Sequence, residues 1–333
     1  MADLARLSGR NFLVIGRAGM DLYADPPGTR IEDATRFTTA LGGSSANIAV
    51  ALTRQGCRAA LVTCVSDDAV GRFCLNQLDR YGVDRTHVRP VVGEPRNSLA
   101  VVETRPTDCQ SVIYRNNAAD FAMTVADVAA VDYSAFSALI TTGTVLAAEP
   151  SRSATFHALN LARAAGLPLI FDVDYRPYSW PSPQVAADVY SRAGALCDVI
   201  VGNDVEFGFM AGHPDRGLDT AGRLIGQGAQ IVVYKMGEKG AVTFTRDGQF
   251  ATGIYPTQAL KPTGAGDSFL AAFVAGLTGG LTGGLAGGLT VRDAVLRGSA
   301  AAAMVVARVG CAPAMPTRAD LDAFLAGHPG PTA

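Results

Sequence analysis

The chain has 333 residues, 48% of them hydrophobic and 17% charged, with a net charge of -2 and a sequence pI near 6.1. That length and apolar content suit one large α/β domain, alone or with a small appendage, and exclude a disordered chain. The near-neutral charge, without a Lys/Arg run longer than a pair, leaves no footprint for nucleic acid, and no run of about 18 apolar residues predicts a membrane span. Six cysteines (Cys57, Cys64, Cys74, Cys109, Cys197, Cys311) without a CxxC pair, and four isolated histidines, predict neither a zinc site nor a disulfide framework. Residues 1–7 lack the charged-then-apolar pattern of a secretory leader, so a reduced cytoplasmic setting and small-molecule partners are expected.

Short apolar runs at 11–16, 59–65, 138–142, 168–172, 199–202 and 231–235 predict strands, and amphipathic stretches at 44–55, 69–81, 151–165 and 184–195 predict helices between them. This alternation predicts a mostly parallel sheet with helices on both faces. Two segments break the rhythm: 17–41 is polar and turn-rich, and 96–119 holds two β-rich runs, 98–104 and 111–115, with no helix between them. Antiparallel strands there would form a small lid beside the ligand crevice, excluding water from it. Residues 277–290 repeat a Gly/Leu unit whose glycines oppose a helix, so a flexible loop is expected before a helix at 291–306.

In chain order, Asp21 follows the first strand, where a carboxylate would accept hydrogen bonds from substrate hydroxyls or simply serve a turn. Gly42 and Gly43 precede a helix whose first turn holds Asn47: glycines permit close approach of backbone to ligand, and an amide both donates to and accepts from a hydroxyl. The same segment also reads as a glycine turn with a serine cap. Arg115 and Arg176 would each suit bidentate binding of a carboxylate, and together would imply an acidic substrate; singly, either fits a surface ion pair.

Asn203 and Glu206 lie three apart where another helix begins, Asn203 placed to meet phosphate oxygens and Glu206 to hold a hydrated Mg²⁺, unless the pair is ordinary capping. Lys235, Gly237 and Gly240 form a turn whose backbone N–H groups, at Gly237 or Gly240, would meet nucleotide phosphates, although by itself the segment reads better as a glycine hairpin. Residues 300–306 and 310–316 would wall an adenine slot or serve only helix packing.

Thr263-Gly264-Ala265-Gly266-Asp267, followed by an apolar helical run, carries the most chemistry. Unpartnered first-turn N–H groups of Gly264, Ala265 and Gly266 would cradle an anion, with the helix dipole in support. Asp267 would repel a bound phosphate unless it has separate work, and that work is taking a proton from a hydroxyl. A base beside an anion hole describes phosphoryl transfer to an alcohol. No Walker-type run occurs, so the segment is not a P-loop.

These motifs, in this order over nearly the whole chain, resemble the ribokinase or phosphofructokinase-B family of carbohydrate kinases. The resemblance implies one domain over 1–330, a three-layer α/β/α fold with a mostly parallel sheet and a β-sheet lid, and in some members a homodimer through that lid. It implies ATP as phosphate donor, Mg²⁺, and often a monovalent cation such as K⁺. It assigns Thr263–Asp267 to the anion hole and base, 41–47 to the sugar, Asn203 and Glu206 to phosphate and magnesium, and Lys235–Gly240 to the nucleotide. Lys261 stands where many relatives carry Asp, which bears on the cation site. Within the family the segments 16–23, 41–47, 114–120 and 261–267 are similar to a branch that phosphorylates a keto-deoxy sugar acid in inositol breakdown. Kinases of a related keto-deoxy acid or of fructose, and a catalytically silent sugar or nucleotide sensor, are the alternatives.

Overall fold

The computed structural model describes residues 2–105, 107–261, 263–278 and 288–331. Strand β1 (Asn11–Ile15) alternates its side chains between two cores: Phe12 and Val14 face one, Leu13 and Ile15 the other. Burial on both faces is why this strand reads as a continuous apolar run. Strands β2 (Gly19–Asp25) and β3 (Arg36–Gly42) follow, then helix α1 (Ser44–Arg54), β4 (Arg58–Ser66), helix α2 (Ala69–Arg80) and β5 (Val88–Val91). Next come β6 (Ser98–Val102), β7 (Ser111–Tyr114), the short helix α3 (Val125–Ala129), β8 (Ala138–Thr142), α4 (Ser151–Ala164), β9 (Leu169–Asp172) and α5 (Pro183–Leu196). The remainder is β10 (Val199–Asn203), α6 (Asp204–Met210), α7 (Gly217–Gly226), β11 (Ile231–Lys235), β12 (Ala241–Thr245), β13 (Gly248–Thr252), α8 (Ala265–Leu277), α9 (Val291–Val306) and α10 (Arg318–Gly327).

The large sheet runs β13-β12-β11-β10-β9-β8-β1-β4-β5, parallel from β5 to β11, with β12 and β13 added antiparallel at one edge. Helices α1, α2, α8 and α9 contribute to the core on one face and α3 to α7 to the core on the other, giving three layers. Because the chain leaves β1 for β4 and later resumes at β8 on its opposite side, the strand order reverses there. Open α/β sheets bind ligands at such a switch point, outside the carboxyl ends of the strands.

A separate four-stranded sheet, β3-β2-β6-β7, is built from the two segments that break the α/β rhythm. The 98–104 and 111–115 runs pair antiparallel, as expected. Its inner face carries Tyr23, Ala40, Ala100 and Val102, packed against Cys311. The Gly/Leu repeat is flanked by α8, which ends at Leu277, and α9, which begins at Val291; residues 279–287 lie outside the described residues.

Candidate active site

Helix α8 starts at the glycine-rich segment. Gly264 is its N-cap at φ 84°, a left-handed conformation that favours glycine, and a Cβ there would lie 3.0 Å from the Cys311 sulfur. The first intrahelical bond runs from Ser268 N–H to the Gly264 carbonyl at 3.0 Å, which leaves the N–H groups of Ala265, Gly266 and Asp267 without intrahelical acceptors. Two ammonium groups flank the segment. Lys235 Nζ stands 3.4 Å from where a Cβ on Gly266 would be, and the buried Lys261 donates to the Thr263 carbonyl at 2.5 Å. First-turn amides, the positive end of a helix and two lysines together make an anion site.

Asp267 is the third residue of α8 and lines the same cavity. Asn47 of α1 donates from Nδ2 to its Oδ2 at 2.9 Å, so the sugar motif and the candidate base meet directly across 220 residues of sequence. Burial pushes the Asp267 carboxyl up to about 7 and the Asp174 charge adds to this, while the Asn47 bond and the charges of Arg176 and Arg17 pull the other way. A carboxyl titrating near neutrality is tuned for accepting a proton.

The Gly42–Gly43 pair has a steric reason. A Cβ on Gly42 would fall 1.9 Å from Asp21 Oδ1, and one on Gly43, whose φ is 91°, would fall 2.6 Å from the Arg17 carbonyl. Asp21 lies on β2 in the small sheet, buried, accepting a 3.0 Å hydrogen bond from the Tyr23 hydroxyl. Burial raises its pKa, with Arg17 the main opposing charge.

The two arginines are differently placed. Arg176 lines the cavity, with its Nη2 2.9 Å from Asp174 Oδ1 and its Nη1 donating to the Tyr175 carbonyl at 2.9 Å. Arg115 is buried beside the Phe121 ring, bonded to Asp120 Oδ2 and donating to the Thr144 carbonyl at 2.9 Å. Each guanidinium thus already has an internal carboxylate.

Asp172 and Asp174, at the carboxyl end of β9, both line the cavity and had no role from sequence; the Asp-Val-Asp alternation closing an apolar strand was the available signal. Asp172 is pushed well up by burial, against the opposing charge of Lys235. Burial alone would raise Asp174 too, but Arg176 and the hydroxyls of Ser44 and Thr144 hold it below the ordinary value. Its φ of 36° is the left-handed region that few non-glycine residues occupy. Arg17, directly after β1, was likewise not singled out as a site residue.

Asn203 and Glu206 form a reciprocal capping box: Asn203 N–H donates to Glu206 Oε2 at 2.7 Å and Glu206 N–H to Asn203 Oδ1 at 2.9 Å. Both line the cavity, and burial raises the Glu206 carboxyl. Its second oxygen has no hydrogen-bond partner among the described residues. Among them, no three His, Cys, Asp or Glu side chains gather as a metal cage. One free carboxylate oxygen fits a Mg²⁺ that keeps most of its waters and binds chiefly to substrate phosphates. Gly237 (φ 56°) and Gly240 (φ 82°) shape the adjoining turn; a Cβ on Gly240 would meet the Thr252 carbonyl at 2.0 Å.

The cavity measures about 980 Å³ and runs from Asp174 and Asp267 past Lys235 to an apolar end beside Tyr255, Ala302 and Val306. Of the two segments expected to wall an adenine slot, the first lines the cavity through Ala302, Ala303 and Val306, whereas Cys311 of the second packs behind Gly264 and Tyr23.

The family model for pfkB family carbohydrate kinases matches residues 10–318. A 5-dehydro-2-deoxygluconokinase of Geobacillus kaustophilus is 36% identical over 323 residues, 96% of this chain and 94% of that protein. One of Photobacterium profundum is 37% identical over 319 residues, 94% of each. Among solved structures, a fructokinase double mutant of Vibrio cholerae O395 with fructose, ADP and potassium ion bound superposes with a TM-score of 0.80 at 26% identity, covering 95% of this chain and 98% of that one. A PfkB protein of Polaromonas sp. JS666 gives 0.79 at 27%, covering 94% and 99%.

Proposed function

The chain belongs to the pfkB family of carbohydrate kinases, and we propose that it transfers the terminal phosphate of ATP to the 6-hydroxyl of 5-dehydro-2-deoxygluconate. The observation that carries the chemistry is Asp267: a carboxyl tuned to about 7, held by Asn47, at the mouth of unpartnered helix amides. The acceptor hydroxyl gives its proton to Asp267 as its oxygen attacks phosphorus. The N–H groups of Gly264, Ala265 and Gly266 meet the charge on the travelling phosphoryl group, and Lys235 adds a cation beside them. Asp21, Gly42, Gly43 and Asn47 hold the sugar, with Arg176 on the cavity wall, while Arg115 is buried in its pair with Asp120 and is not among the residues that line the cavity. Asn203, Gly237 and Gly240 approach the nucleotide phosphates. Mg²⁺, when bound, neutralises phosphate oxygens, and Glu206 is the residue that would hold it. The buried Lys261 ammonium supplies a fixed positive charge against the Thr263 carbonyl, so exchange of K⁺ for Na⁺ should change the rate by no more than about twofold.

The small sheet also suits contact with a second copy. Leu22, Val101 and Val112 share one register row on its outer face, and Phe37, Val112 and Tyr114 are exposed. A dimer in sedimentation analysis that Val112→Glu converts to monomer would bear this out; a monomeric wild-type chain would remove it.

The substrate is tested by coupled ADP release over a panel containing 5-dehydro-2-deoxygluconate, 2-keto-3-deoxygluconate and fructose, with NMR of the product. The proposal expects the first to have the highest kcat/KM, by about tenfold or more, and the phosphate on carbon 6. A higher value for either competitor would overturn the substrate.

A further inference from the structure

We propose that Arg17 is the residue that receives the carboxylate of the acceptor sugar acid, making it the determinant of acid over neutral sugar. The inference rests on the reading of the acceptor as a sugar acid. Arg17 leaves the carboxyl end of β1 at the switch point of the large sheet, and its carbonyl accepts the Ala46 N–H at 3.1 Å while crowding Gly43. Its backbone is therefore part of the same ridge as the sugar motif. The side chain is only 7% exposed, its Nε is sealed from solvent without an acceptor, and no hydrogen bond or ion pair reaches its guanidinium among the described residues.

A guanidinium cannot shed its charge by losing a proton, so a buried one without a counter-charge is strongly unfavourable unless an anion arrives. Two neighbouring carboxylates are taken by other arginines, Asp174 by Arg176 and Asp120 by Arg115; Asp267 and Asp21 accept from the neutral Asn47 and Tyr23, and among the described residues neither is in ion-pair contact with Arg17. The Arg17 charge nevertheless acts on Asp21, Asp174 and Asp267, which places it within the ring of groups around the acceptor. Of the three arginines gathered there, Arg17 alone lacks an internal carboxylate among the described residues. The nucleotide's phosphates have their own cations at the α8 end, Lys235 and Lys261, so the anion left for Arg17 comes from the sugar. A planar carboxylate matches the guanidinium fork with two parallel hydrogen bonds.

The test compares 5-dehydro-2-deoxygluconate with its neutral C1 amide in the full-length protein, wild type and Arg17→Met, by coupled ADP release. Wild type should prefer the acid by about 100-fold or more in kcat/KM; Arg17→Met should lose that preference through KM for the acid, while the fall in kcat expected from removing a positive charge that acts on Asp267 is shared by acid and amide. Where the Met variant does not fold, Arg17→Lys, which retains charge and aliphatic stem, should still cut the acid-to-amide ratio by about tenfold through loss of the fork. An equal rise in KM for acid and amide would overturn the role of Arg17 while leaving the substrate reading intact. A wild-type enzyme that phosphorylates only neutral hexoses, or prefers a ketose 1-phosphate, would overturn both.

Discussion

The Asp267 carboxyl is raised first by burial and second by the Asp174 charge, so its titration can be shifted without touching it. As a base it works only when ionised: activity should fall as pH drops through about 7 and level off above. Asp174→Asn removes a like charge and frees Arg176, and both changes favour ionised Asp267. The acid limb of kcat against pH should move to lower pH, by on the order of one unit; a limb that stays in place or moves up would show that Asp174 does not act on the base. Gly42→Ala, whose new Cβ would collide with Asp21 Oδ1, should raise KM for the sugar more than it lowers kcat. At this scale the residue types were legible, because a Gly-rich helix start followed by an acid is a local pattern. The partnering was not. That Asp267 meets Asn47, that Arg115 is consumed by Asp120 and that Arg17 is left over are products of contacts between distant segments.

Among the elements, α6 shows how a structural and a functional reading share the same atoms. The capping box uses one oxygen of Glu206 and leaves the other without a hydrogen-bond partner among the described residues, open to the hydrated cation proposed above. Glu206→Gln retains an acceptor for the Asn203 N–H but loses the charge, so the helix should persist in circular dichroism while the Mg²⁺ concentration for half-maximal rate rises about tenfold or more. An unchanged Mg²⁺ dependence would remove Glu206 from the metal site. The parallel strands other than β5 were readable because burial on both faces makes them continuous apolar runs; β5, with Arg89 and Pro90 exposed, was not. The edge hairpin β12–β13 was not either, because its strands mix polar and apolar residues around Asp247-Gly248. Helix α10 also escaped, with Leu321 its one buried residue, and so did α7, whose Gly217, Gly222 and Gly226 oppose a helical reading.

For the molecule as a whole, the site is a stability cost that titrates. Asp267 has a folded pKa of about 7 against 3.8 for an ordinary carboxyl, so over this range the unfolded chain binds fewer protons than the folded one. Its contribution therefore weakens the fold as pH rises from about 4 to about 7 and is constant above. Asp267→Asn should be more stable than wild type at pH 8, by about 4 kcal/mol at most, with the difference shrinking toward pH 4. Thermal melts at the two pH values check the sign; a variant whose advantage over wild type is smaller at pH 8 than at pH 4 would refute it. The three-layer plan and the small sheet followed from the order of apolar runs and the two breaks in it. The switch point did not, because strand order in space is set by crossovers that leave no mark in the sequence.

The central claim is that Asp267 is the base for transfer from a nucleotide held at the start of α8. Steady-state ADP release by Asp267→Asn tests it most directly. The account predicts a kcat lower by about 10²–10⁴-fold with KM for the sugar acid changed by less than about threefold. A variant that keeps more than about a tenth of the wild-type kcat would contradict it.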